Sequence, residues 1–388
     1  MTEPLVERMR VFGETIFAEM TALAIRLGAI NLGQGFPDTD GPVGMLDVAT
    51  AAIKGGVNQY PPGPGVPQLR EAVARHRQRL YGLEYDPTAE VFITVGATEA
   101  ISATVLATCE RGDEVIVFEP YYDSYPAVIA LSGATRRAVT LRPDGPTGRF
   151  AFDPDELRAA FGPRTRLILV NSPHNPTGTV FTRDELALIA ELCVEHDVLA
   201  ATDEVYEHLT YGGAEHIPLA QFPGMRERTF SISSAGKSFS VTGWKIGWVC
   251  APPALVTAVQ TVKQFTTFTA NGALQLAVAH ALEHELDWVR TQQAALEGKR
   301  DRLAAGLSAA GFEVHIPAGT YFVQADVRPL GSDDGTAFAR SLPERAGIVA
   351  IPSSVFYDDA KAGQPYVRFA FCKKDEVIDE AVARLARL

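Results

Sequence analysis

Lys237 stands in Ser-Ser-Ala-Gly-Lys-Ser, where Ala235 and Gly236 leave room for a bulky group beside its amine, and Lys245 follows eight positions later in Thr-Gly-Trp-Lys-Ile-Gly-Trp. A lysine so placed invites a Schiff base with a carbonyl. Two cations aimed into one site need an anion between them, and the second charge lowers the pKa of the nucleophilic amine. A lysine by itself is a solvated surface residue; the pairing carries the chemical reading. Asp203 ends the run Val198–Thr202. A carboxylate entering from the inner edge of a sheet needs a cation, although Asp203 also suits an N-cap for Glu-Val-Tyr-Glu. Gly96-Ala-Thr-Glu99 opens an Ala- and Ile-rich helix. Its first N–H groups, at Ala97 and Thr98, would offer a phosphate cradle, with Ser234 and Lys245 as further donors. Alone, it is an ordinary strand-to-helix turn, and Asn175-Pro-Thr-Gly178 likewise reads as a turn.

Two motifs in the same chain imitate other chemistries. Gly236-Lys237-Ser238 is the tail of a nucleotide-binding loop, but the first glycine of that motif falls at Ser231, and Phe-Ser-Val-Thr-Gly-Trp is a poor helix start. His280-Ala-Leu-Glu283-His284 matches the H-x-x-E-H pattern of inverted zincins and puts two imidazoles on one helical face. No third ligand is indicated and the pair lies far from the other candidates, so no metal is expected in the site.

The candidates share a position in the fold. Short β-rich apolar runs at Val91–Val95, Glu114–Phe118, Arg166–Val170, Val198–Thr202, Thr229–Ser233 and Lys245–Cys250 alternate with helix-like segments. That alternation specifies an α/β layer with a mostly parallel sheet. Thr182-Arg-Asp-Glu185 reads as a capping box opening a helix over Arg183–His196, and Asp153-Pro-Asp-Glu156 opens another. In open parallel sheets ligands bind at the carboxyl ends of the strands, where Gly96–Thr98, Tyr121–Tyr122, Asn171–Gly178, Asp203–Tyr206 and Ser234–Lys237 all fall. Residues 254–310 read as helical, and the rest mixes strands such as Tyr321–Ala325 and Tyr366–Cys372 with helices. The expected division is an N-terminal segment, 1–40, packing with a small domain 291–388, and a large domain 41–290.

Bulk properties narrow the function classes. The 388 residues are 46% hydrophobic, enough to bury a substantial core, and carry a formal charge of −12. That charge opposes non-specific binding to nucleic acid or an anionic membrane. The N-terminus lacks a basic region followed by an apolar core, and no apolar stretch approaches a membrane span, so the expectation is a cytoplasmic protein. Cys109, Cys193, Cys250 and Cys372 form no C-x-x-C pair and read as reduced core residues.

Taken together, Asn31-Leu-Gly-Gln-Gly-Phe-Pro-Asp38, Tyr60, Gly96-Ala-Thr-Glu99, Glu119-Pro-Tyr-Tyr122, Asn171-Ser-Pro-His-Asn-Pro-Thr-Gly178, Asp203-Glu-Val-Tyr206, Ser234-Ala-Gly-Lys237, Gly243-Trp-Lys-Ile-Gly247 and Arg368 resemble the class I/II aminotransferases of pyridoxal 5′-phosphate (PLP) fold type I, over nearly the whole chain. The resemblance implies that Lys237 holds PLP and moves the substrate's proton, and that Asp203 pairs with the pyridine nitrogen. It further implies that Tyr122 stacks on the ring, that Asn175 and Tyr206 bond its phenolic oxygen, and that Ala97, Thr98, Ser234 and Lys245 hold the phosphate. Tyr60 would reach the phosphate from a neighbouring subunit, which implies a homodimer. Arg368 would clamp the substrate carboxylate with its planar fork, Gly35 and Asn175 would lie beside the substrate, and Phe17 and Phe268 would wall the side-chain pocket.

Within the family the chain is similar to the kynurenine/glutamine/methionine branch and to actinobacterial proteins regarded as N-succinyldiaminopimelate aminotransferases. Phe17 stands where the kynurenine branch typically has tryptophan. The expected reaction is a ping-pong transfer from N-succinyl-L,L-2,6-diaminopimelate to 2-oxoglutarate. Kynurenine, glutamine or methionine are the alternative donors, a PLP-dependent C–S lyase is the nearest other enzyme, and a PLP-binding regulatory domain is the non-enzymatic alternative.

Overall fold

The computed structural model describes residues 4–388 apart from 14, 146 and 147. Seven strands form the main sheet: β1 (Val91–Thr94), β2 (Glu114–Glu119), β3 (Thr135–Thr140), β4 (Thr165–Asn171), β5 (Leu199–Asp203), β6 (Thr229–Ser234) and β7 (Gly247–Cys250). Their spatial order is β1-β7-β6-β5-β4-β2-β3. β7 runs antiparallel to both neighbours, and the other pairings are parallel. Apolar side chains leave both faces. Val115, Val117, Leu167, Leu169 and Ala201 join one core cluster, while Ile116, Ile168, Val170 and Ala200 join another. Helices cover both sides, which is why these strands read as continuous apolar runs.

Local signals fix the helices that cover the sheet. Thr182 and Glu185 form the complete capping box: Glu185 N donates to Thr182 Oγ1 at 3.2 Å, and Thr182 N donates to Glu185 Oε2 at 2.7 Å. The helix runs Arg183–Glu195. Asp153 caps Pro154–Ala160 through the amides of Asp155 and Glu156. Each such cap stabilises its helix by about 1 kcal/mol.

The smaller α+β part is built from both ends of the chain. Glu313–His315, Phe322–Asp326, Tyr366–Ala370 and Ile351–Pro352 form an antiparallel sheet in that order. Ile30–Asn31 pairs with Ile348–Val349, and the helix Ile16–Leu27 lies against Gly335–Ala346. The region expected to be helical contains Pro253–Lys263, Gly272–His284 and Leu286–Ala309. The last of these runs unbroken through position 290. All four cysteines are buried and unpaired, and no helix among the described residues is long and apolar enough to cross a membrane.

Two strand expectations need correction. β3, Thr-Arg-Arg-Ala-Val-Thr, has no counterpart among the runs read from sequence. It is an edge strand paired only with β2, so its arginines remain at least partly exposed and the apolar signal is weak. The run beginning at Lys245 yields a strand only from Gly247, because Lys245 adopts a left-handed conformation with φ 54°.

Candidate active site

The carboxyl ends of β4, β5 and β6 converge, with the turn after β1, on a cavity of about 340 Å³. Twelve of the expected residues line it: Phe17, Gly35, Ala97, Thr98, Tyr122, Asn175, Asp203, Tyr206, Ser234, Lys237, Lys245 and Arg368. Lys237 sits in the four-residue helix Ala235–Ser238 directly after β6. Its Nζ is 3.5 Å from Gly35 O, 5.5 Å from the Tyr321 ring centre and 5.8 Å from that of Tyr206. Burial pulls this amine down to about 8, with Lys245 and Arg368 pulling in the same direction and Cys372 and Asp203 opposing. A substantial fraction is therefore neutral and nucleophilic near physiological pH.

Asp203, the last residue of β5, is buried and has no cation within ion-pair distance among the described residues. Its Oδ2 accepts from the Tyr125 hydroxyl at 2.6 Å, and its Oδ1 accepts from Val205 N at 3.3 Å. Burial raises this carboxyl to about 6 despite those bonds. A positively charged ring nitrogen would supply what the site lacks.

At the turn after β1, Gly96 takes φ 73°, and a Cβ there would fall 3.2 Å from Lys245 Nζ. The lysine thus occupies the amino end of the helix Gly96–Thr108, and two positive ends meet. That arrangement calls for an anion.

Arg368 lies on an inner strand of the small sheet, paired through its residue position with Gln324 and Ile351, and is only 2% exposed. It donates to Asn175 Oδ1 and to Gly33 O, both at 3.0 Å, while its Nε has no partner. Phe322, Phe356 and Phe17 enclose it, with ring centres 4.0, 5.0 and 5.3 Å from Cζ. Burial lowers it to about 10. A buried guanidinium with a free N–H and no carboxylate in contact is built to receive one. Gly35 is obligatory beside it, since a Cβ there would lie 2.2 Å from the Phe322 ring.

Tyr60 and Phe268 do not line the cavity. They are 82% and 51% exposed and meet edge to face at 5.3 Å. The expectation that Phe268 walls the pocket is therefore not met within one chain. His280 and His284 do meet along one helix, their rings tilted with 4.8 Å between centres, but Glu283 is engaged by Arg75 at 2.8 Å. No third ligand joins them among the described residues.

Sequence reading missed Tyr125, Tyr321 and Phe322. Tyr321 donates to Gly35 O at 2.6 Å and packs against Tyr206 at 5.3 Å. The available signal was the aromatic pair Tyr321-Phe322 opening a strand, which reads equally as core. Tyr125 is one helical turn beyond Tyr122, and nothing in its spacing announces Asp203, 78 positions away.

This fold and site belong to the aminotransferases. Residues 28–385 match the family model for aminotransferase class I and II, and the chain is a member of that family. It is 54% identical over 392 residues to a probable N-succinyldiaminopimelate aminotransferase of Mycobacterium tuberculosis, covering 99% of this chain and 98% of the relative. A solved structure of N-succinyldiaminopimelate aminotransferase from that organism superposes with a TM-score of 0.96 at 55% identity, over 98% of this chain and 99% of the other. The methionine aminotransferase of Escherichia coli is 38% identical over 99% of both chains.

Proposed function

We propose that this aminotransferase uses PLP held by Lys237 and transfers an amino group from N-succinyl-L,L-2,6-diaminopimelate to 2-oxoglutarate by a ping-pong cycle. The observation that carries the reading is the opposition, within one cavity, of a buried lysine whose pKa is lowered and a buried arginine that lacks a carboxylate. The residues fit the cofactor: Asp203 needs a cation, and the Gly96 helix end with Lys245 needs an anion. Bound there, PLP supplies an electron sink for the charge left when an amino acid loses its α-proton. Asp203 would keep a proton on the ring nitrogen, with Tyr125 holding its carboxylate in place. Lys237 would act as the base and acid for the α-proton. Arg368 would grip the α-carboxylate, while Tyr206 and the amide of Asn175 would hold the ring oxygen and Tyr122 would cover the ring.

The donor follows from the 54% identical relative, whose name carries that substrate. The cavity's own cations are Lys237, Lys245 and Arg368, all with tasks, so the remote carboxylates of a succinylated donor would be met at the mouth or by a second subunit. The exposed Tyr60–Phe268 pair supports a homodimer in which these rings complete the partner's site. The domain limits proposed remain 1–40, 41–290 and 291–388, with the helix Leu286–Ala309 linking the last two. A second reading, methionine or kynurenine as donor, is favoured by the Phe17, Phe36 and Phe322 lining. Measuring kcat/KM for all four donors on one preparation decides it. The succinylated donor should lead; a tenfold advantage for kynurenine, glutamine or methionine would remove the substrate choice. An elimination product without accumulated amino form of the cofactor would favour the lyase, and bound PLP without turnover the regulatory domain.

A further inference from the structure

We propose a second ligand site, for a divalent transition-metal ion such as zinc, where His76, Glu207 and His208 converge behind the catalytic turn. His76 comes from the helix Pro67–Tyr81, and the other two from the turn that follows β5. The Nε2 atoms of His76 and His208 face each other at 3.0 Å, and the ligand atoms of all three residues lie within 4.8 Å of one another. Tetrahedral nitrogen and oxygen ligands at about 2.0–2.1 Å from zinc stand about 3.3 Å apart. To admit the ion the two imidazoles need to part by only a few tenths of an ångström, with the Glu207 carboxylate closing on them. His76 and Glu207 are buried, and the partly exposed His208 marks the way in. None of the three lines the catalytic cavity.

Charge counting points the same way. Arg77 Nη1 contacts Glu204 at 2.7 Å and Glu207 at 3.4 Å, and all three side chains are almost fully buried. Two carboxylates face one guanidinium there, with Glu207 also accepting from Tyr81 at 2.7 Å and from Ser233 at 2.5 Å, and a cation beside Glu207 would balance the second carboxylate's charge. His216 adds a third imidazole, 3.2 Å from Glu204. His76 Nδ1 has no hydrogen-bond partner and is free to carry the ring proton when Nε2 turns to the ion. Binding then requires a tautomer change in one ring. The bound ion would tie the helix Pro67–Tyr81 to the turn beginning directly after Asp203.

The test uses the PLP-loaded enzyme, stripped of metal with a chelator, titrated with zinc and passed through a desalting column for elemental analysis. Expected is one zinc per chain together with a rise of several degrees in Tm. Both should be lost in His76→Gln and His208→Gln and kept in His280→Gln, which removes the other histidine pair. No stoichiometric zinc in the wild type, zinc retained by the first two variants, or zinc lost with His280 would each overturn the site. Should a variant fail to fold, X-ray absorption on the wild-type zinc form decides. Two imidazole nitrogens with carboxylate oxygen support the assignment, and any other ligand shell refutes it.

Discussion

Asp203 and Glu204 are adjacent, both buried, and in opposite electrostatic situations. Glu204 turns toward Arg77 and His216 and is held below the usual carboxylate range, because the Arg77 charge and the His216 hydrogen bond outweigh its burial. Asp203 turns toward the cavity, finds a tyrosine and a backbone amide but no cation within ion-pair distance among the described residues, and rises to about 6. Charges matched inside the protein belong to the scaffold. Charges left unmatched in a cavity mark where the molecule expects a charged ligand, and Arg368 and Lys245 share that condition.

The sharpest break of this contrast is Lys237→Ala, which should lower turnover by at least about 10⁴-fold, since proton transfer by a positioned group alone contributes about 10²–10⁴. The variant should fold normally and acquire no borohydride-stable cofactor label, whereas the wild type is labelled at Lys237 by peptide mapping. A label on another lysine would refute the assignment. Asp203→Asn should keep PLP and lose about 10²-fold or more in kcat, because the amide cannot balance a charged ring. Glu204→Gln should do the reverse. Breaking its buried pair should cost about 3–5 kcal/mol of stability in urea unfolding, with turnover per folded molecule nearly intact. Equal kinetic damage from both changes would erase the distinction between ligand-facing and scaffold charge.

Arg368→Lys keeps the charge but loses the fork, and should lower kcat/KM for every donor by roughly tenfold to a hundredfold. A loss confined to one donor would instead assign Arg368 to side-chain recognition.

The last contrast concerns pH. In the cofactor-free protein, folded Asp203 binds its proton more tightly than the unfolded chain does, with a value of about 6 against 3.8. Stability should therefore fall as pH rises between about 4 and 6, by about 3 kcal/mol in all, and the penalty is complete above 6. Glu204 has the opposite sign: its contribution is present above the unfolded value and disappears as pH falls through its folded value. Urea unfolding at pH 4.5 and 7 should show that Asp203→Asn loses less stability on this rise than the wild type. Parallel slopes would mean that the Asp203 charge is not costly to bury.

The sheet and most of the site were legible because strands buried on both faces carry continuous apolar runs, and their ends fall next to Gly, Asn, Asp and Lys clusters. β3 escaped because an edge strand paired on one side keeps its arginines and threonines. Tyr125, Tyr321 and Phe322 were hidden for another reason. Their partners Asp203, Gly35 and Arg368 come from distant segments, and aromatic residues in apolar surroundings read as core until the fold brings those segments together. Phe268 was assigned by resemblance, which does not distinguish a wall supplied by one's own chain from one facing outward. The His76–His208 contact spans 132 positions, whereas the H-x-x-E-H spacing drew attention to a pair on a single helix.

The four buried cysteines give the molecule an internal clock for its own opening. Burial raises Cys109 and Cys372 to about 11 and Cys193 and Cys250 to about 12, so native thiols are both shielded and protonated. Modification by a thiol reagent then waits on local or global opening, and its rate reads that opening directly. Cys250 ends the antiparallel strand β7 and is tied into the sheet on both sides, whereas Cys372 lines a small pocket with Lys237, Tyr321 and Ser240. Labelling at Cys372 should accordingly outpace that at Cys250, and ligands that fill the cavity should slow the first while leaving the second unchanged.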